Sequence, residues 1–367
     1  MKLKSMTLTR LAAGAASLVL LGVGASFVAA GCGSSDGDAA DGGGGTSTTG
    51  QPPARPEGNA TTDTSVRTFA VDTLKLGTNN EWKKIGYNID GKVSTGASKD
   101  VCAPVPGGPT SPHQDGDNGI DNSFGANVLP ILLPLQQDLP RLASNALANG
   151  SFTIMIQTNG LPSAAPTDST GLSGQLFAGG QFSDIGDGGL GAPPAFDLTT
   201  DWPVLPAILK GSDVASGSKI QFANAYVSGG TFVSGDRLTV SLNLNFSGVQ
   251  LDLSVRNAII TMKPNGASMT DGIISGYLDT KEISAAITKI GGRLSTQFCG
   301  GTAITSFVQN LEYSSDMLAD GTTDGSRQCD AISIGLGFTA KEVKNPTKVA
   351  PAGGDTPDPC LDPDAGN

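Results

Sequence analysis

The stretch "RLTVSLNLNFSGVQLDLSVRNAIITM" (residues 237–262) decides the fold. Apolar and polar side chains alternate from Leu238 to Phe246, and the alternation resumes at Leu251 after the "SGVQ" turn. Successive residues of a strand face opposite sides of a sheet, so this pattern predicts an antiparallel hairpin with one buried face. The alternation slips by one place at Arg256–Asn257, which predicts a β-bulge at that point.

Around this hairpin, several shorter segments have the composition of strands: 67–76, 152–157, 174–182, 219–227, 231–235, 273–278 and 331–340. Helical periodicity is confined to 139–150, 279–292 and 304–321, and Asp279 with Glu282 forms a capping box at the start of the second. The predicted fold class is therefore mainly β: an antiparallel β-sandwich or open barrel with two or three short helices.

The composition agrees with a protein of strands and loops. The chain has 51 glycines and 22 prolines, and nearly all of its 34 acidic residues are aspartates, which favour turns over helix interiors. The formal net charge is −11, without a basic cluster. Binding to nucleic acid requires a positive surface, so nucleic-acid partners are not expected.

The first 31 residues have the pattern of an export signal, with Lys2, Lys4 and Arg10 ahead of an apolar run at 11–30. The small residues before Cys32 resemble the lipobox of bacterial lipoproteins, although alanine occupies position 29, where leucine is commoner in that family. The resemblance implies cleavage before Cys32, a lipid on its thiol, and an outer-membrane location facing the periplasm or the cell exterior. Two alternatives are ordinary cleavage after Ala30 and an uncut membrane span.

Residues 32–62 are rich in Gly, Ser and Thr and contain almost no large apolar residue, so we predict a disordered linker. Residues 63–345 are long enough for one large β-rich ectodomain or two smaller units. Residues 346–367 are predicted to form an extended tail.

Four cysteines remain beyond Cys32, an even number that predicts two disulfides in an exported chain. Three pairings are possible. We favour Cys299 with Cys329, which leaves Cys102 to hold the tail through Cys360.

The acidic stretch "HQDGDNGIDNSFG" (113–125) is the main candidate for a site. Asp115, Asp117, Asp121 and Asn122 supply the oxygen ligands that calcium prefers, and the stretch loosely resembles the aspartate-rich loops of thrombospondin type 3 repeats. The sequence therefore suggests bound calcium.

A turn without metal is the competing interpretation of this stretch. The pair "NG" at 118–119 is a strong tight-turn signal, and Asp121 is able to cap a following helical segment.

Catalysis is not expected, because His113 is the only histidine and no GxSxG elbow is present. A carboxylate glycosidase needs no histidine, and Asp184, Asp187 and Asp201 are available to one. Tyr87 and the two tryptophans are the few candidates for sugar stacking. A carrier of an apolar ligand, with the long hairpin and the apolar run 128–135 lining a cavity, is the other alternative.

The order of lipobox, linker, "VRTFAVDTLKLG", "GYNIDGK", "DGDNGIDNSFG" and "CDAISIGLGFTA" resembles a group of secreted lipoproteins common in myxobacterial genomes. That group has no assigned activity, so the resemblance implies a location and transfers no functional residue. The leading expectation is a lipid-anchored, non-catalytic binding or structural protein. We expect it to contain a calcium site and to bind a surface polymer or a protein partner.

Overall fold

The computed structural model describes residues 50–58, 60–134, 138–164, 166–180, 182, 194–246, 249–299, 301–351 and 360, with the backbone alone at 242–246, 249–252 and 294. The predicted signal segment, Cys32 and the first part of the predicted linker lie outside these residues.

The described chain contains nine strands and four α-helices. The strands are β1 (Val66–Lys75), β2 (Phe152–Asn159), β3 (Ser169–Gly180), β4 (Ile220–Ser228), β5 (Thr231–Val233), β6 (Leu238–Phe246), β7 (Val249–Asn265), β8 (Ser268–Asp279) and β9 (Ala331–Val343). The helices are α1 (Leu129–Leu132), α2 (Leu139–Ala148), α3 (Thr280–Leu294) and α4 (Gly301–Glu312).

All the strands join one antiparallel sheet in the order β5-β4-β3-β2-β1-β9-β8-β7-β6, and β5 also pairs with β7. That additional pairing closes the sheet into an eight-stranded barrel, with β6 continuing beside β7 beyond β5. The predicted mainly β antiparallel fold is confirmed, and the barrel is closed rather than open. The described residues all belong to one compact unit of the chain.

The hairpin that decided the fold class is formed by β6 and β7, with Leu238 opposite Ala258 and Phe246 opposite Val249. The register between β7 and β8 shifts between Arg256 and Ile259, so the predicted bulge is confirmed. Asn257, at the bulge, has a φ of 51°.

Apolar side chains fill the inside of the barrel. On β9, for example, Ile334, Leu336 and Phe338 point inward and are buried, while Gly335 and Gly337 between them face out. At one end, buried Arg67 binds both carboxylate oxygens of Glu342 at 2.8 and 2.6 Å. Two backbone carbonyls accept two further N–H groups of its guanidinium.

Helix α3 begins as predicted: the Asp279 carboxylate accepts hydrogen bonds from the backbone N–H groups of Lys281 and Glu282. Helix α4 ends at Glu312, well before the predicted end at 321. Pairing with β9 overrides the helical periodicity there, because the backbone N–H of Met317 binds the carbonyl of Ala331.

Two disulfides join the four predicted cysteines, but the favoured pairing was wrong: Cys102 bonds to Cys329, and Cys299 bonds to Cys360. Beside the first pair, Ala103 and Gln328 form a β-bridge, which brings Cys102 to the segment just before β9. Sequence spacing does not reveal this contact. Disulfides persist in oxidising compartments, so this chain folds outside the cytoplasm.

Residues 50–58 and 60–62, assigned above to the linker, lie against the barrel. The carbonyl of Pro53 accepts the Tyr226 hydroxyl at 2.7 Å, and the Thr61 backbone N–H binds the Thr170 carbonyl at 2.8 Å. In the tail, Ala350 donates to the Val204 carbonyl. None of the described helices is both long and apolar enough to traverse a bilayer.

Candidate functional site

The long connection between β1 and β2 crosses the outer face of β8 and β9 and carries the predicted site. The backbone of Tyr87 donates to the Ser275 hydroxyl at 3.0 Å. A methyl group at Gly335 would lie 2.1 Å from the carbonyl oxygen of Ile85, so glycine is required for this close approach. The connection is therefore seated directly on the barrel wall.

Within this connection, Asp121 and Asp115 hold the segment 115–121 against the segment 89–94 through hydrogen bonds from its backbone. Asp121 is buried, and its Oδ2 accepts hydrogen bonds from the backbone N–H groups of Ile89 (2.5 Å) and Asp90 (3.3 Å). Asp115 accepts the backbone N–H of Ser94 at 2.5 Å, and its charge acts on Asp121. Two of the four predicted ligands are therefore neighbours.

Two further carboxylates, which the sequence analysis missed, act on this pair. The charges of Asp90 and Asp316 both reach Asp115 and Asp121. Asp316 accepts the backbone N–H of Ser333 at 2.8 Å and also the Ser333 hydroxyl. We refer to Asp90, Asp115, Asp121 and Asp316 as the carboxylate cluster.

Burial and mutual repulsion raise the pKa values of this cluster. Burial raises the pKa of Asp115 to about 7, although a hydrogen bond from Ser94 acts in the opposite direction. Burial likewise raises the pKa of Asp316 to about 7, against the hydrogen bonds from Ser333. Burial and three like charges raise the pKa of Asp121 well above its usual range, and burial raises that of Asp90. The cluster therefore retains protons near neutral pH.

The other two predicted ligands lie outside the cluster. Asp117 is exposed on the turn that follows Gly116. Asn122 is buried with both ends of its amide engaged: Nδ2 donates to the carbonyls of Ile85 (2.8 Å) and Gly335 (3.1 Å), and Oδ1 accepts the Gly125 N–H. Asn122 thus fastens the connection to β9.

The turn predicted at 118–119 is present, with φ values of 59° at Asn118 and 79° at Gly119. The predicted cap was wrong. Asp121 binds the 89–90 backbone instead, and Asn122 accepts the amide of the helical segment.

Within the described part of the chain, no three His, Cys, Asp or Glu side chains are grouped closely enough to hold a metal ion as they stand. The reason is visible in the cluster, where carboxylate oxygens are directed at backbone N–H groups rather than at a common point. Calcium binding would require these side chains to rotate toward one another.

The residues considered for catalysis are dispersed. His113 Nε2 lies 2.7 Å from the carbonyl oxygen of Tyr313. Asp201 binds Thr347 and Lys344, and these hydrogen bonds lower its pKa although burial acts in the opposite direction. Asp184 and Asp187 lie outside the described residues.

Comparison of the chain with protein-family models, with curated proteins and with solved structures finds no match.

Proposed function

We propose that this chain is a lipid-anchored, non-catalytic binding or structural protein of the bacterial cell envelope, stabilised by calcium. The lipobox-like sequence before Cys32 supports the anchor and an outer-membrane location. The disulfides support a position on the export side of the inner membrane.

The carboxylate cluster carries the calcium part of the proposal. Calcium binds six to eight oxygen atoms, and four carboxylates offer several of these within one loop system. Asp121 and Asp115 come from the stretch in which the sequence predicted the site, and Asp316 reaches them from the segment before β9. Without a cation, burial and mutual repulsion disfavour the charged forms of these groups, which opposes folding at neutral pH.

The alternatives receive less support. Large apolar side chains such as Phe69, Phe222 and Phe232 occupy the barrel interior, which favours a packed core over an apolar ligand. Asp201, the one glycosidase candidate in the described residues, is engaged with Thr347 and Lys344.

Thermal unfolding in EGTA and in increasing calcium, with magnesium as the ion control, tests the site. A cation that binds only the folded state stabilises it by about 2.7 kcal/mol at 100 times its dissociation constant. At roughly 2 °C per kcal/mol for a chain of this size, the midpoint should rise by about 5 °C.

Two variants make this test specific. Asp121→Asn should abolish the calcium-dependent rise, whereas Asp117→Asn, which changes an exposed aspartate of the same loop, should retain it. Identical melts with and without calcium would reject the calcium site.

The anchor is tested separately by Cys32→Ser. The native chain should fractionate with membranes and incorporate labelled fatty acid, and the variant should do neither. A native chain without fatty acid would reject the anchor.

A further inference from the structure

A cleft of about 770 Å³ opens on the outer wall of the barrel, separate from the carboxylate cluster. Its floor is formed by outward-facing residues of β1, β5, β7, β8 and β9. The remaining lining residues are Gln51, Pro53, Glu81, Lys84, Ile85 and Tyr87. Its volume lies within the range of small-molecule sites, so we refer to it as the outer cleft.

Three lysines line the outer cleft although the chain has a net charge of −11. Lys75 and Lys84 are exposed, and no carboxylate of the described residues forms an ion pair with either. Lys263 is paired with Asp271 at 3.1 Å. The carboxylate of Glu81 also lines the cleft, so three lysines and two carboxylates leave a net charge of +1. The ammonium groups of Lys75 and Lys84 are available to an anionic ligand.

Hydroxyl groups line the outer cleft together with these charges. Thr231 and Thr270 line it with side chains that form no hydrogen bond to any described residue. Thr261 is bonded to the Tyr87 hydroxyl at 2.8 Å. A hydroxyl donates one hydrogen bond and accepts others, so this surface complements a ligand that is itself rich in hydroxyls.

We propose that the outer cleft binds an acidic oligosaccharide, with sugar carboxylates at Lys75 and Lys84 and sugar hydroxyls at the threonines. This inference rests on the proposed function as a binding protein and names its ligand class. The unpaired ammonium groups disfavour an apolar ligand, because burying them without a partner is costly. Two free lysines are too few for the continuous positive surface that nucleic acid requires.

Isothermal titration of the full chain in detergent with trigalacturonate tests the inference, and the fully methyl-esterified trisaccharide serves as its uncharged counterpart. All titrations contain EGTA, so that calcium contributes to neither binding nor stability. We expect the acid to bind at least about tenfold more tightly than the ester, because ammonium–carboxylate hydrogen bonds are among the stronger polar contacts.

The double variant Lys75→Gln/Lys84→Gln should lose about tenfold or more in affinity for the acid, with the melting temperature unchanged because both side chains are exposed. The matched control Lys289→Gln removes an exposed lysine of α3, outside the cleft, and should bind as the native chain does. Absence of binding, equal affinity for acid and ester, or an unchanged double variant would each overturn the inference.

These outcomes are independent of the tests of the proposed function. A calcium-dependent melt and a labelled Cys32 without trigalacturonate binding would reject the cleft alone. Binding of trigalacturonate to a native chain that shows neither a calcium-dependent melt nor a labelled Cys32 would reject the calcium site and the anchor. It would support the cleft.

Discussion

Raising the pH from 4 to 8 in EGTA should destabilise the protein through Asp316. Burial holds the pKa of this carboxyl at about 7 in the folded state, compared with 3.8 for a free side chain. Its contribution to stability is therefore complete below pH 3.8 and is lost as the pH rises through about 7, because the unfolded chain releases the proton first.

The magnitude follows from the difference of about three pKa units, each equivalent to 1.36 kcal/mol, which sets an upper limit of about 4 kcal/mol. The Asp316 residue retains some contact with solvent. Water therefore screens part of the effect, and we expect a loss of about 2–4 kcal/mol.

Asp316→Asn removes this titrating group together with the effect of its charge on Asp115 and Asp121. The amide is uncharged at both pH values, its Oδ1 is able to accept the Ser333 N–H, and its Nδ2 is able to donate to the Ser333 hydroxyl. The variant should match the native chain at pH 4 and exceed it by about 2–4 kcal/mol at pH 8, or about 4–8 °C in the midpoint.

Circular dichroism melts of the native chain, Asp316→Asn and the exposed control Asp117→Asn at pH 4, 6 and 8 measure this difference. If the native and Asp316→Asn midpoints remain parallel across the three pH values, Asp316 does not titrate in this range and the account of the cluster is incorrect.

Packing on the two faces of the barrel gives two further predictions, both measured by urea denaturation. Gly335→Ala places a methyl group 2.1 Å from a backbone oxygen and should cost about 1–3 kcal/mol or more, whereas Gly337→Ala, whose methyl lies 3.2 Å from a side-chain carbon, should cost less. Equal midpoints for the two variants would contradict the close approach. Glu342→Ala leaves buried Arg67 without its partner and should cost about 3–5 kcal/mol, while Asp138→Ala, which breaks an exposed ion pair, should have no measurable effect. A Glu342→Ala midpoint close to that of the native chain would show that water replaces the lost hydrogen bonds of Arg67.

The strands were predictable because their patterns are local. Alternation over two residues identified β6 and β7, and the slip at Arg256–Asn257 located the bulge before any partner strand was known. Closure of the barrel was not predictable in this way. It depends on the short pairing of β5 with β7, and a segment as short as Thr231–Val233 carries little periodicity.

The candidate site was predictable only in part, for a related reason. Asp115 and Asp121 are close in sequence, and a turn between them brings them together. Asp316 joins them from a distant segment that the sequence assigned to the end of a helix, and pairing with β9 decides otherwise. The disulfide pairing failed for the same reason, since Cys102 meets Cys329 across 227 residues.

The short pairing of β5 with β7 also has a mechanical consequence. Only two residue pairs, Phe232–Met262 and Val233–Thr261, join these strands, whereas the neighbouring β7–β8 pairing extends along most of both strands. Spontaneous opening of the barrel should therefore begin at this seam, and amide hydrogens of β5 should exchange with solvent sooner than those of β8. Thr231 of β5 and Thr261 of β7 lie on the two sides of this seam, and both line the outer cleft. A ligand that contacts both threonines would hold the two strands together and slow this exchange.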